Sequence, residues 1–207
     1  MGTGLMPKTV RVCGIATAPM AEKTRPGQGG AAAAALASDR SVEHVLGQAK
    51  TPDKFCAALA KMFGVRPKEV ALMRLEHGLL KFLFPEQLKT AGSIPVSSSS
   101  SVAAHTASSK KTELFNTFAK VKHARVFETV KLTTPGEDNE EHMAIQKMMS
   151  AAVLTPERKV LGVIQVSRKG FDLGSAGPDF THNDVQQLEL ATKVAATLPF
   201  MVNSVGK

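Results

Sequence analysis

The sequence predicts an α+β domain built around an antiparallel sheet. Three observations predict it. Two pairs of apolar runs are each joined by a short turn signal, helical periodicity is confined to segments outside those pairs, and no strand–helix–strand alternation appears. The chain has 207 residues, 43% of them hydrophobic and 21% charged. That suffices for one well-packed domain with roughly 50 residues to spare.

Residues 1–37 are expected to be a mobile tail and residues 38–207 a single domain. In the tail, Gly27, Gly29 and Gly30 follow Pro26, and Ala31 to Ala35 offer no large side chain to bury. Helical spacing begins with Val42, Val45 and Leu46 in the segment Asp39–Ala49. A stronger helix follows. Thr51 suits the N-cap, Pro52 the first helical position and Asp53 the positive end of the dipole; Phe55, Leu59, Met62 and Phe63 share a face, and Gly64 stops the helix.

The pattern then changes. Val70–Glu76 and Leu79–Phe84 flank His77-Gly78, a hairpin signal because the tight turn demands positive φ. Ile94-Pro95-Val96 leads into Ser97–Ser101, where a short helix is expected to start near Ser99 or Ser100. Glu113–Thr117 reads as extended, Val121–Lys131 as ambiguous, and Thr134–His142, with Pro135, Gly136 and four acids, as a loop. Ile145–Leu154 and Lys159–Arg168 flank Thr155–Arg158 as a second hairpin, in which Gly162 permits close approach of another backbone. Thr181 and Asp184 form a capping box for a last helix whose Val185, Leu188, Ala191, Ala195 and Leu198 face one way until Pro199.

Composition excludes several classes. No apolar run approaches the ~20 residues that cross a bilayer, and Lys8 and Arg11 interrupt any secretory core. Cys13 and Cys56 cannot form a disulfide framework or a thiolate metal site, so a reducing, cytoplasmic setting is expected. The net charge is +8, and its surplus is central: Lys plus Arg against Asp plus Glu is 6 to 3 in residues 1–50, 13 to 6 in 51–135 and 7 to 9 in 136–207. Such a field attracts an anionic ligand as readily as it solvates a surface. Without Trp or Tyr the chain makes a poor stacking platform for single-stranded nucleic acid, and neither nucleic acid nor membrane is expected as a partner.

The run Lys159-Val-Leu-Gly-Val-Ile-Gln-Val-Ser-Arg-Lys169, followed by Phe180 and Asp184 and a Leu/Ala-rich helix, resembles the closing half of GAF domains, a family of small-molecule sensors. Ile94-Pro95 with Val102-Ala-Ala-His-Thr106 resembles the family's middle helix. The likeness spans about residues 51–202 and rests on the order of these segments. It implies an antiparallel sheet of about six strands, with terminal helices on one face and a roof helix with loops over the other, where a ligand is held. Within the family, cyclic-nucleotide binders carry an Asn-Lys…Phe-x-x-x-Asp-Glu signature. Here Lys169, Phe180 and Asp184 match, whereas Arg168 and Val185 depart from it, which argues against a cyclic nucleotide. Neither cysteine is placed to carry a tetrapyrrole. No cysteine follows Ala57, so the family's methionine sulfoxide reductase chemistry is not expected either.

The candidate ligand-binding residues are Ser99, His105, Phe115, Asn116, Phe127 and Met149. Ser99 belongs to a run that offers hydroxyls and helix N-terminal N–H groups, or only a capped loop. His105 projects from the roof helix, although a lone histidine is more often a partly satisfied polar residue than a ligand to iron. Phe115, Asn116 and Phe127 fall where the resemblance puts the pocket wall, and Asn116 supplies the placed polar group a pocket needs. Lys110, Lys111, Lys120, Lys122, His123, Arg125 and Lys131 form the densest basic stretch, and Glu137, Asp138, Glu140 and Glu141 lack the alternation of a calcium loop. No nucleophile elbow, P-loop or His-Glu-x-x-His motif is present. The expectation is therefore a stand-alone sensory module, not an enzyme, needing no cofactor or metal. It would bind an unidentified small molecule and signal as a homodimer through its terminal helices or through a partner protein. The alternatives are a ligand-free dimerisation scaffold and, third, an unrecognised enzyme.

Overall fold

A computed structural model describes residues 42–118 and 143–202. The expected tail, the basic stretch beyond Phe118 and the acidic loop lie outside the described residues. Residues 42–47 are helical. The elements that follow are α1 (Pro52–Phe63), β1 (Val70–Glu76), β2 (Leu79–Phe84), β3 (Ser93–Pro95), α2 (Val102–Ser109), β4 (Glu113–Phe115), β5 (Ala144–Leu154), β6 (Val160–Gly170), α3 (His182–Ala195) and α4 (Pro199–Val202). Short 3-10 turns at Pro67–Glu69 and Glu86–Thr90 went unread in the sequence.

The strands form one six-stranded antiparallel sheet in the order β3-β2-β1-β6-β5-β4. The two hairpins are joined through β1 and β6, so Val70, Leu72 and Arg74 pair with Val166, Ile164 and Gly162. At that join a side chain on Gly162 would put its Cβ 2.0 Å from the Met73 carbonyl oxygen and 2.7 Å from Met201 Cε. Only glycine fits there. His77 and Gly78 both take positive φ, 50° and 79°, as the first hairpin turn requires.

The helix caps are those the residues announce. Thr51 accepts from Lys54 N–H, Gly64 closes α1 in the left-handed region, and Thr181 and Asp184 cap α3 reciprocally. The roof helix starts later than expected. Ser101 is its N-cap, accepting from Ala104 N–H, because it is the last serine before the buried Val102-Ala103-Ala104 run.

Strand alternation sorts the side chains onto two faces. On one, Leu72, Met149, Ala151, Val153, Ile164 and Val166 pack against Phe55, Leu59 and Phe63 of α1 and Leu188, Ala191 and Ala195 of α3. Each large side chain buried in this layer stabilises the fold by about 1.5–3 kcal/mol. On the opposite face, α2 lies over β5 and β6. Its Ala103, Ala104 and Ala107 sit close against Met73, Leu80, Ile94 and Val163. Terminal helices and roof helix thus occupy opposite sides of a single sheet, as the resemblance implied.

Candidate functional site

The roof face is not apolar throughout. Beside the alanine-covered half, β5 and β6 bury Ser150, Gln165 and Ser167, and α2 buries Thr106 above them. These groups form a connected chain. Gln165 Nε2 donates to Ser150 Oγ at 3.3 Å and to Met148 Sδ at 3.6 Å. Thr106 Oγ1 lies 2.8 Å from Ser150 Oγ and 2.7 Å from Glu113 Oε2. A carboxylate only accepts, so the single Thr106 proton goes to Glu113 and the Ser150 proton goes to Thr106. His105 Nδ1 sits 2.9 Å from the other Glu113 oxygen. A polar thread therefore runs from the middle of the sheet, through the roof helix, to an exposed imidazole.

An apolar wall stands beside this thread. Met148, Val102, Phe115, Phe118 and Ile145 form a separate cluster, with the rings of Phe115 and Phe118 edge to face at 5.9 Å. At the far end of β6, burial works to raise the Glu69 carboxyl. Hydrogen bonds from the Arg66 side chain, the Arg66 backbone and the Lys169 backbone outweigh it and hold Glu69 below the usual carboxylate range. Ser167 Oγ donates to the Glu69 carbonyl at 2.9 Å, which ties β6 to the start of β1.

The sequence candidates are scattered by this geometry. Phe115 lies in the apolar wall. His105 is on the roof helix at the outer end of the thread, more than half exposed at 55%. Ser99 is exposed in the loop before the N-cap, outside the thread. Asn116 has its amide occupied: Nδ2 donates to the Phe180 carbonyl at 2.9 Å, and Oδ1 accepts from Phe180 N–H at 2.9 Å. It acts as a peptide mimic that holds the chain before α3. Met149 is corrected outright, since alternation turns it into the helix-side core and gives Met148 the roof-side position. Phe127 lies outside the described residues. Sequence reasoning missed Ser150, Gln165, Ser167 and Thr106. Ser150, Gln165 and Ser167 are polar residues inside otherwise apolar strands, which was the signal available.

Two further cations are structural. Lys147 Nζ reaches the Gly177 carbonyl at 2.6 Å and Asp179 at 2.7 Å. Arg168 donates to the Phe63 carbonyl at 2.9 Å, at the end of α1, and stacks over Phe180 at 4.6 Å. This gives Arg168 a packing role at the position where the cyclic-nucleotide signature has asparagine. Cys56 is buried in α1, and burial pushes its thiol well above the usual range. Among the described residues no group of three or more metal-ligating side chains converges, and no helix is long and apolar enough to cross a membrane.

No protein-family model matches the sequence, and no curated protein resembles it in sequence. Similarity appears in the fold. The GAF domain of an Acinetobacter phosphoenolpyruvate-protein phosphotransferase superposes with a TM-score of 0.59 at 14% identity, covering 84% of this chain and 97% of that one. The A. aeolicus nlh2 GAF domain in an inactive state gives 0.52 at 13% identity, over 78% and 92%. A free methionine-R-sulfoxide reductase from Neisseria meningitidis, in complex with its substrate, gives 0.52 at 13% identity, over 82% and 90%. That last neighbour corrects the expectation that the chain is not an enzyme, because the same fold carries a catalyst there and leaves catalysis open here. With its six-stranded antiparallel sheet between terminal and roof helices, the chain has the GAF-domain fold.

Proposed function

We propose that this chain is a sensory or regulatory module that takes a small molecule on the roof face, between α2 and strands β5 and β6. The module passes the change to a second copy of itself or to a partner protein through its helical face. The observation that carries the reading is the polar composition of that face. A sheet covered only for stability is filled with apolar side chains, as the helix side is. Burying Ser150, Gln165, Ser167 and Thr106 instead gives less stabilisation per residue and sets a few polar groups, bonded to one another or to the backbone, at fixed positions of the kind a ligand site uses. A ligand moves such a module only through its differential affinity for two arrangements of the roof. The thread from Gln165 to His105 offers a physical route, since it ties floor, roof helix and β4 together.

A ligand-free scaffold is the second reading. Its support is the alanine-covered half of the roof, where Ala103, Ala104 and Ala107 leave apolar packing against Met73 and Val163. Native mass spectrometry of the protein purified from its own cells separates the two. A retained small molecule, lost on denaturation, is expected for the sensor. A bare polypeptide mass, with no stabilisation by any member of a metabolite panel, would favour the scaffold. A ligand present at 100 times its dissociation constant adds about 2.7 kcal/mol, which a thermal-shift screen detects.

A further inference from the structure

We propose that the roof-side site takes a small organic anion, with its carboxylate or phosphate at Lys169 and its apolar part against Met148 and the Phe115–Phe118 pair. The inference rests on the reading of the roof face as a ligand site. Alternation along β6 brings Gln165, Ser167 and Lys169 to one face, in a progression from amide through hydroxyl to cation. Their partners across the ladder are Ser150, Met148 and Ile145. Met148 and Ile145 belong to the apolar wall. The floor at this end is therefore polar along β6 and apolar along β5, which suits a molecule with one charged end.

Lys169 is the charged donor of that floor. It is partly buried, and among the described residues no carboxylate lies within ion-pair distance of its ammonium. Glu69 acts on it electrostatically but is already engaged. Its oxygens take the Arg66 backbone N–H at 2.8 Å, the Arg66 guanidinium at 3.1 Å and the backbone N–H of Lys169 itself at 2.7 Å. Burial pushes the Lys169 ammonium below the usual lysine range; Glu69 opposes this, and Arg66 and Lys68 add to it. A partly desolvated cation is stabilised by any anion that reaches it. Ser167 has given its proton to the Glu69 carbonyl and Gln165 donates to Ser150, so neither competes with Lys169 for the anionic end.

The test titrates the full chain with acetate, butyrate, hexanoate, inorganic phosphate and 1-hexanol, at ionic strength fixed with chloride. Binding is followed by thermal unfolding and by ligand-observed NMR. Wild type is expected to bind the carboxylates saturably, with affinity rising up to roughly fourfold for each methylene buried. K169M is expected to lose at least tenfold in hexanoate affinity, and K169Q, measured beside it, to lose as much. Equal stabilisation by chloride, or full hexanoate affinity in both variants, overturns the assignment. If 1-hexanol binds wild type and K169M alike while no anion binds better, the roof-side site stands and the anion assignment fails. If neither the alcohol nor any anion binds, the site reading fails with it.

Discussion

Removing the Thr106 hydroxyl tests the polar thread directly. Thr106→Val keeps the shape and deletes one oxygen from a fully buried position between Glu113 and Ser150. Two losses follow. The Glu113 carboxylate loses a charge-assisted hydrogen bond of about 1.5–3 kcal/mol, and the Ser150 proton loses its acceptor, a further ~1 kcal/mol or more for a buried donor. Together they amount to about 3 kcal/mol, or roughly 6–12 °C in Tm for a domain of this size. Ser150→Ala alone is expected to cost about 1 kcal/mol, because Gln165 keeps Met148 Sδ as a second acceptor. The double variant is the discriminating one. With Ser150 already gone no proton is stranded, so the pair is expected to cost about 1 kcal/mol less than the two single effects combined. Urea unfolding of the four proteins gives the cycle. Additivity within about 0.4 kcal/mol would refute the thread, since independent sites behave that way.

Three other outcomes follow from the same geometry. Gly162→Ala is expected to destabilise by about 3 kcal/mol or more, read in the same urea assay, because the added Cβ meets the Met73 carbonyl, which cannot yield as the Met201 side chain beside it can. Asn116→Ala is expected to raise amide exchange at Phe180–Asp184, where the two-way clip to Phe180 is lost, while the amides of α2 stay protected. Glu69, held below its ordinary value of 4.5, contributes stability that is present above that pH and lost as pH falls through the folded value. Glu69→Gln is therefore expected to be less stable than wild type at neutral pH, with the gap closing under acid titration followed by circular dichroism.

The fold was legible because its signals are local. Thr51, Gly64 and Thr181 mark helix ends by cap chemistry, and His77-Gly78 marks a hairpin by the φ its turn demands. Gly162 announced a close approach without naming Met73, since β1 and β6 pair across a long separation, Arg74 with Gly162 being 88 residues apart. The site was less legible. Met148 and Met149 are chemically identical neighbours, and only the register of β5 against β4 and β6, with its irregularity between Ile145 and Lys147, decides which one faces the roof. Asn116 looked like a pocket donor because nothing local reveals that Phe180, 64 residues later, occupies both ends of its amide. Glu113 reads in the sequence only as the start of an extended segment and an acid opposing a basic stretch, although it holds both His105 and Thr106.

The central claim is that Gln165, the polar side chain in the middle of the roof-face floor, serves a ligand and not the fold. The folding free energy of Gln165→Leu tests it most directly. Leucine at this position removes one donor to Ser150 and adds apolar burial against Met148, so the variant is expected to lie within about 1 kcal/mol of wild type or above it. A loss of 3 kcal/mol or more would mean that Gln165 holds the sheet together, and the claim would fall.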